Sequence, residues 1–138
     1  CAVVLADRSI AGLGPDAWAR RAVALAAEFG ATAVVAEVNQ GGDMVKAVLK
    51  TAGNGLKIRE VHATRGKYVR AEPVAALYEQ GRIHHAGAFD ALEEELMAFG
   101  GEMEAAGSLD RADALVWAVT DLLVDAPEGE RGPRVRWL

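Results

Sequence analysis

The chain has 138 residues, of which 51% are hydrophobic and 25% charged, and its formal net charge is −5. That length suits one domain with a real core, the mix is globular rather than disordered, and the acidic balance leaves any nucleic-acid contact to a local basic patch. No apolar run reaches the length of a membrane span, and the single cysteine, Cys1, excludes an intrachain disulfide and argues against a cysteine zinc site, which fits an intracellular location.

The chain opens on CAVVLADR, already inside an apolar run. Residues 1–7 therefore read as a strand, and the sequence reads as a piece with more chain, a whole strand included, upstream. Gly12, Gly14 and Pro15 punctuate the loop that follows, and Pro15 suits the first turn of a helix. Trp18, Ala22, Leu25, Ala26 and Phe29 then recur at helical spacing until Gly30 ends the pattern. Residues 32–38 predict a short buried strand. Met44, Val45, Val48 and Leu49 mark a short helix stopped by Gly53, Asn54 and Gly55, and residues 57–63 predict a third strand. Residues 69–80 read as a helix with Pro73 early in it, 82–86 as a short strand, 88–99 as a helix and 109–123 as the last helix. After Pro127 the segment GERGPRVRWL reads as a linker or frayed end. Strands alternating with helices predict an α/β domain with a largely parallel sheet, whose sites gather beyond the carboxyl ends of strands.

The most informative stretch is AVVAEVNQGGDM, residues 33–44. A buried-type strand ends there in one carboxylate, Glu37, and breaks at once into Asn39, Gln40 and the pair of Gly41 and Gly42. A carboxylate so placed is costly to keep unless something cationic sits on it. A divalent metal is the obvious partner, because hard cations take oxygen ligands. The plain alternative is a strand-end carboxylate that faces solvent or accepts from the Asn39 or Gly41 amide. Gly41 and Gly42 read either as a simple loop-to-helix turn or as residues without side chains that let a phosphate backbone approach helix N-terminal amides. Asp43, in the first turn of that helix, reads as a dipole partner.

A second acidic segment, SLDRADALVWAV at residues 108–119, can supply further ligands. Asp110 and Asp113 are three apart and share a helical face. Projecting the helix puts Leu115, Ala118, Val119 and Leu122 on the buried stripe and Asp113 on the opposite side, which favours a solvated acidic face with Asp110 helping the helix start. Trp117, one turn after Asp113, argues the other way. Arg65, Lys67 and Arg70 cluster after the third strand, as a solvated charge run or as a phosphate-contacting loop interrupted by Gly66 and Tyr68. His84 and His85, adjacent in a short strand, point to opposite faces and form no simple ligand pair. Asp7 reads as a turn-stabilising carboxylate. There is no G-x-x-x-x-G-K-[ST] phosphate loop, no G-x-S-x-G elbow and no histidine relay for Cys1.

Five ordered segments carry a resemblance: VLADRS (residues 4–9), PDAWARRAV (15–23), VVAEVNQGGDMV (34–45), TRGKYVRAEPVAALYEQGRIHH (64–85) and DRADALVWA (110–118). Together they resemble the C-terminal nuclease domain of large terminase subunits, the DNA-packaging proteins of tailed bacteriophages, prophages and gene transfer agents. The resemblance implies an RNase H-like mixed sheet flanked by helices over residues 1–124, with 125–138 as a tail. It implies an endonuclease that cuts concatemeric double-stranded DNA in the host bacterial cytoplasm with two Mg²⁺ or Mn²⁺ ions. Glu37 and Asp113, with Asp110 as helper, would hold the metals. The remaining acidic position would lie on a strand before Cys1, and the packaging ATPase would lie upstream as well. Gly41, Gly42, Arg65, Lys67 and Arg70 would contact DNA. The portal protein and the small terminase subunit would be partners, and no membrane is involved. The expected structure has Glu37 ending an interior strand and facing the first half of the last helix. A resolvase- or transposase-like nuclease, or a non-catalytic prophage remnant or docking domain, are the alternatives.

Overall fold

The structure is a computed structural model that describes residues 1–38, 47, 49–50, 55–63, 66–99, 109–125 and 136–137. The chain folds as two compact units, one formed by 1–9 and 65–125, the other by 10–64 and 126–138. No helix among the described residues is long and apolar enough to cross a membrane.

In the first unit, β1 (Ala2–Val4) pairs in parallel with β4 (Ile83–His85), Ala2 opposite Ile83 and Val4 opposite His85. The apolar run from Cys1 to Asp7 predicted a longer strand. Only Ala2, Val3 and Val4 find ladder partners, because β4 is itself three residues long. Three helices accompany this ladder: α2 (Lys67–Glu79), α3 (Asp90–Ala98) and α4 (Asp110–Val119), the last running on into a π-helical turn at Thr120–Val124. Helix α4 packs against both α2 and α3. Val74 and Leu77 of α2, Ile83 of β4, Leu92 of α3, and Leu115, Val116 and Val119 of α4 form one buried cluster. The turn from α2 into β4 is set by Gly81, whose φ of 66° is left-handed; its N–H donates to Tyr78 O and the Arg82 N–H to Leu77 O, which satisfies the last carbonyls of the helix.

In the second unit, α1 (Pro15–Phe29) begins where the sequence predicts, with Pro15 in the first turn, and Gly30 ends it at φ 64°. Ala19 and Ala26 are its buried residues, and Trp18, Ala22, Leu25 and Phe29 are half-buried around them. Strand β2 (Ala33–Glu37) lies between β3 (Lys57–Val61) and β5 (Arg136–Trp137), with parallel ladders on both sides. Ala33, Val34 and Val35 are consecutive and all buried, the pattern of a parallel strand covered on both faces. The reading of 129–138 as a linker or frayed end does not hold at Arg136 and Trp137, which pair with Ala33 and Val34. A two-residue ladder rests on backbone groups and leaves no periodicity to read. Ala47, Leu49 and Lys50 are helical, with Leu49 fully buried; Met44, Val45 and Val48 lie outside the described residues.

Candidate functional site

Helical spacing on α2 places Lys67, Arg70, Val74 and Leu77 along one stripe. Val74 and Leu77 are its apolar end and join the core; Lys67 and Arg70 are its basic end and reach the first turn of α4. Arg70 Nη2 donates to Asp113 Oδ1 at 2.6 Å, with the two side chains only 9% and 7% exposed. The Arg70 guanidinium also lies over the Trp117 ring, 4.4 Å from its centroid, a cation–π contact that fixes the plane of the fork. Lys67 Nζ stands 3.8 Å from Asp113 Oδ2 and 3.9 Å from Asp110 Oδ1.

Asp113 is therefore not part of a solvated face: it is 5% exposed, the one charged residue among the buried ones described. The projection that put it outside assumed one packed stripe. Helix α4 has neighbours on two sides, so Ala112, Asp113, Leu115, Val116, Ala118 and Val119 are all buried. A carboxylate in that position needs a cation, and here Arg70 provides it.

The start of α4 is held from α3. Glu95 Oε2 accepts from the Ala112 N–H at 2.9 Å, and Glu95 Oε1 from Arg111 Nη1 at 3.0 Å. Arg111 Nε in turn faces Asp7 Oδ2 at 3.3 Å. Asp7 Oδ1 accepts from the Ser9 N–H at 3.0 Å and from its hydroxyl, as a turn carboxylate does. His84 is exposed, while His85 is enclosed by Tyr78 and Glu93, so the two histidines serve different faces. The sequence reading missed the side-chain capping of α4 by Glu95, because the cap comes from another helix.

Glu37 is the last residue of β2, exposed, with Val61 of β3 opposite it in the ladder. The first unit thus gathers Asp110, Asp113, Lys67 and Arg70, and the second unit carries Glu37 at the carboxyl end of its central strand. Gly41, Gly42 and Arg65 lie outside the described residues. Among the described residues no group of three or more His, Cys, Asp or Glu is arranged to hold a metal ion. Asp110 and Asp113 nonetheless fit a hard divalent cation in kind: both offer carboxylate oxygens, and one ammonium already sits against the pair.

A family model described as "Terminase RNaseH-like domain" matches residues 3–122. Comparison with curated proteins and with solved structures found no significant match.

Proposed function

The chain belongs to the terminase RNase H-like family, and from that premise we propose that it is the metal-dependent endonuclease domain of a phage or prophage large terminase subunit, cutting concatemeric double-stranded DNA during genome packaging. The observation that carries this reading is Asp113, a carboxylate buried beside Asp110 and paired with Arg70 at the start of a helix. In this reading the buried carboxylate is a fixed oxygen ligand, held in place by its ion pair with Arg70. Glu37, exposed at the end of a strand whose first three residues are buried, is the second ligand in this reading. The site takes Mg²⁺ or Mn²⁺, two ions in all, which when bound polarise the scissile phosphate and lower the pKa of the attacking water. The chain's own part is to present oxygens. Arg70 fixes the Asp113 carboxylate in one orientation, Glu95 and Arg111 fix the first turn of α4 that carries Asp110 and Asp113, and β2 carries Glu37. In this reading Lys67 contacts the DNA backbone, and Arg65, Gly41 and Gly42, outside the described residues, are further candidates for that contact. The packaging ATPase upstream, the portal protein and the small terminase subunit complete the machine in the host bacterial cytoplasm.

The test is plasmid cleavage with Mn²⁺ by the nuclease domain in its full-length subunit. Glu37→Ala and Asp113→Asn are expected to abolish cutting, with Asp110→Asn milder. Because Glu37 is exposed, Glu37→Ala should leave the fold intact. Undiminished cleavage by Glu37→Ala, with a contaminating nuclease excluded, would falsify the assignment.

A further inference from the structure

Two basic residues hold Asp113, and they hold it differently. Arg70 is enclosed, its contact is short, and its guanidinium rests on Trp117. Lys67 has a side chain 45% exposed, and its contacts to Asp110 and Asp113, at 3.9 and 3.8 Å, are long for an ion pair. Its ammonium is a compact charge on a flexible four-carbon stem, whereas the stacked guanidinium is planar and fixed. The first contact is built to last and the second to let go.

The position of that ammonium matters as much as its looseness. Asp110 and Asp113 lie on one face of one helix, and like charges so close disfavour each other unless a cation intervenes. Lys67 is that cation here. Resting on the reading of Asp110 and Asp113 as oxygen ligands, we propose that Lys67 is an internal stand-in for the divalent metal. Together with Arg70, its ammonium balances the two carboxylates in the metal-free protein, and it swings into solvent when a metal takes the place between them. Arg70 keeps its hold on Asp113 Oδ1 throughout, so the carboxylate does not turn when the second cation changes. The protein thereby keeps a second positive charge beside the pair when empty, in addition to Arg70, and binds metal less tightly than the same carboxylates would without the lysine.

The test uses the full-length subunit with Lys67→Met in its nuclease domain, which keeps the stem and removes the charge. Mn²⁺ is titrated by calorimetry, and thermal unfolding is followed with and without Mn²⁺. The variant is expected to bind Mn²⁺ roughly threefold to tenfold more tightly. Its metal-free Tm should fall while the rise in Tm at a fixed Mn²⁺ concentration grows. A lysine that only braces the helix lowers both Tm values alike and leaves the Mn²⁺ constant unchanged, which overturns the proposal. Lys57→Met, which removes an equal charge from β3, is the control; equal tightening there shows a general charge effect and also overturns it. Binding of Mn²⁺ by neither the parent nor Lys67→Met overturns the oxygen-ligand reading and the stand-in with it, whereas equal constants for the two overturn the stand-in alone.

Discussion

Arg70 and Asp113 are the residues whose energies can be separated most cleanly, because both side chains are nearly enclosed and they meet at 2.6 Å. Breaking such a pair from the cationic side strands a buried carboxylate, so Arg70→Gln is expected to cost about 3–5 kcal/mol. Asp113→Asn strands the enclosed guanidinium in turn and should cost a comparable amount. The double variant should therefore be more stable than the sum of the single losses predicts, by about 1–3 kcal/mol. Urea unfolding of the four proteins measures this, and strict additivity would show that the contact carries no coupling. The residues of this pair were visible in the sequence, but their pairing was not. The helix over 69–80 was begun two residues late; begun at Lys67, its spacing aligns Lys67 and Arg70 with Val74 and Leu77 and turns both basic residues toward the core side. Trp117 was the sound hint, since it lies one turn from Asp113 and holds the guanidinium that buries it.

The elements of the first unit are stitched by a second polar network. The Tyr78 hydroxyl of α2 lies 2.7 Å from His85 Nε2 of β4, and His85 Nδ1 lies 3.3 Å from Glu93 Oε1 of α3. Burial, and then the Glu93 carboxylate, push the Tyr78 phenol up to about 12 from its usual value of 10.0. A phenol that donates to Nε2 goes with the His85 tautomer whose proton is on Nδ1, facing Glu93. A raised pKa favours the neutral form in the folded protein. This contribution to stability is present in full below about pH 10 and is lost as pH rises toward about 12. Tyr78→Phe should lower stability at neutral pH by about 1 kcal/mol and should flatten the alkaline fall in Tm over that window. Parallel Tm–pH curves for parent and variant would show that the hydroxyl is not coupled to folding. Gly81 closes the same α2–β4 connection in a left-handed conformation, and an added Cβ there meets nothing within 4 Å. Gly81→Ala should therefore cost roughly 1 kcal/mol from backbone strain alone, and an unchanged urea midpoint would refute that origin. Element positions were readable from punctuation in the second unit, with Pro15 and Gly30 marking the start and stop of α1. Strand lengths were not, because β1 stops where its partner β4 stops, and β5 exists only because β2 offers it a ladder.

At the scale of the whole molecule, five ordered segments were enough to reach the family, and β2 ends in Glu37 as its buried run predicts. The division into two units was not legible, since each is assembled from separate stretches of chain. The net charge of −5 sets the terms on which a DNA-cutting reading must be tested. An acidic molecule meets a polyanion only through a local basic patch, so binding should be weak and steeply salt-dependent. Each phosphate contact contributes about 0.9 to the slope of log affinity against log salt on duplex DNA. Lys67, half-exposed and loosely held, can exchange its carboxylates for a phosphate, so Lys67→Ala should flatten the slope by up to about one unit. Arg70 belongs to the same basic run in the sequence, but its guanidinium is enclosed against Asp113 and Trp117. Arg70→Gln should accordingly leave the slope nearly unchanged while lowering stability. Fluorescence anisotropy with a labelled duplex, between about 50 and 200 mM salt in metal-free buffer, resolves a difference of that size. A flattened slope for Arg70→Gln with an unchanged one for Lys67→Ala would show that DNA draws Arg70 away from Asp113, and that the two residues exchange the roles their exposure assigns them.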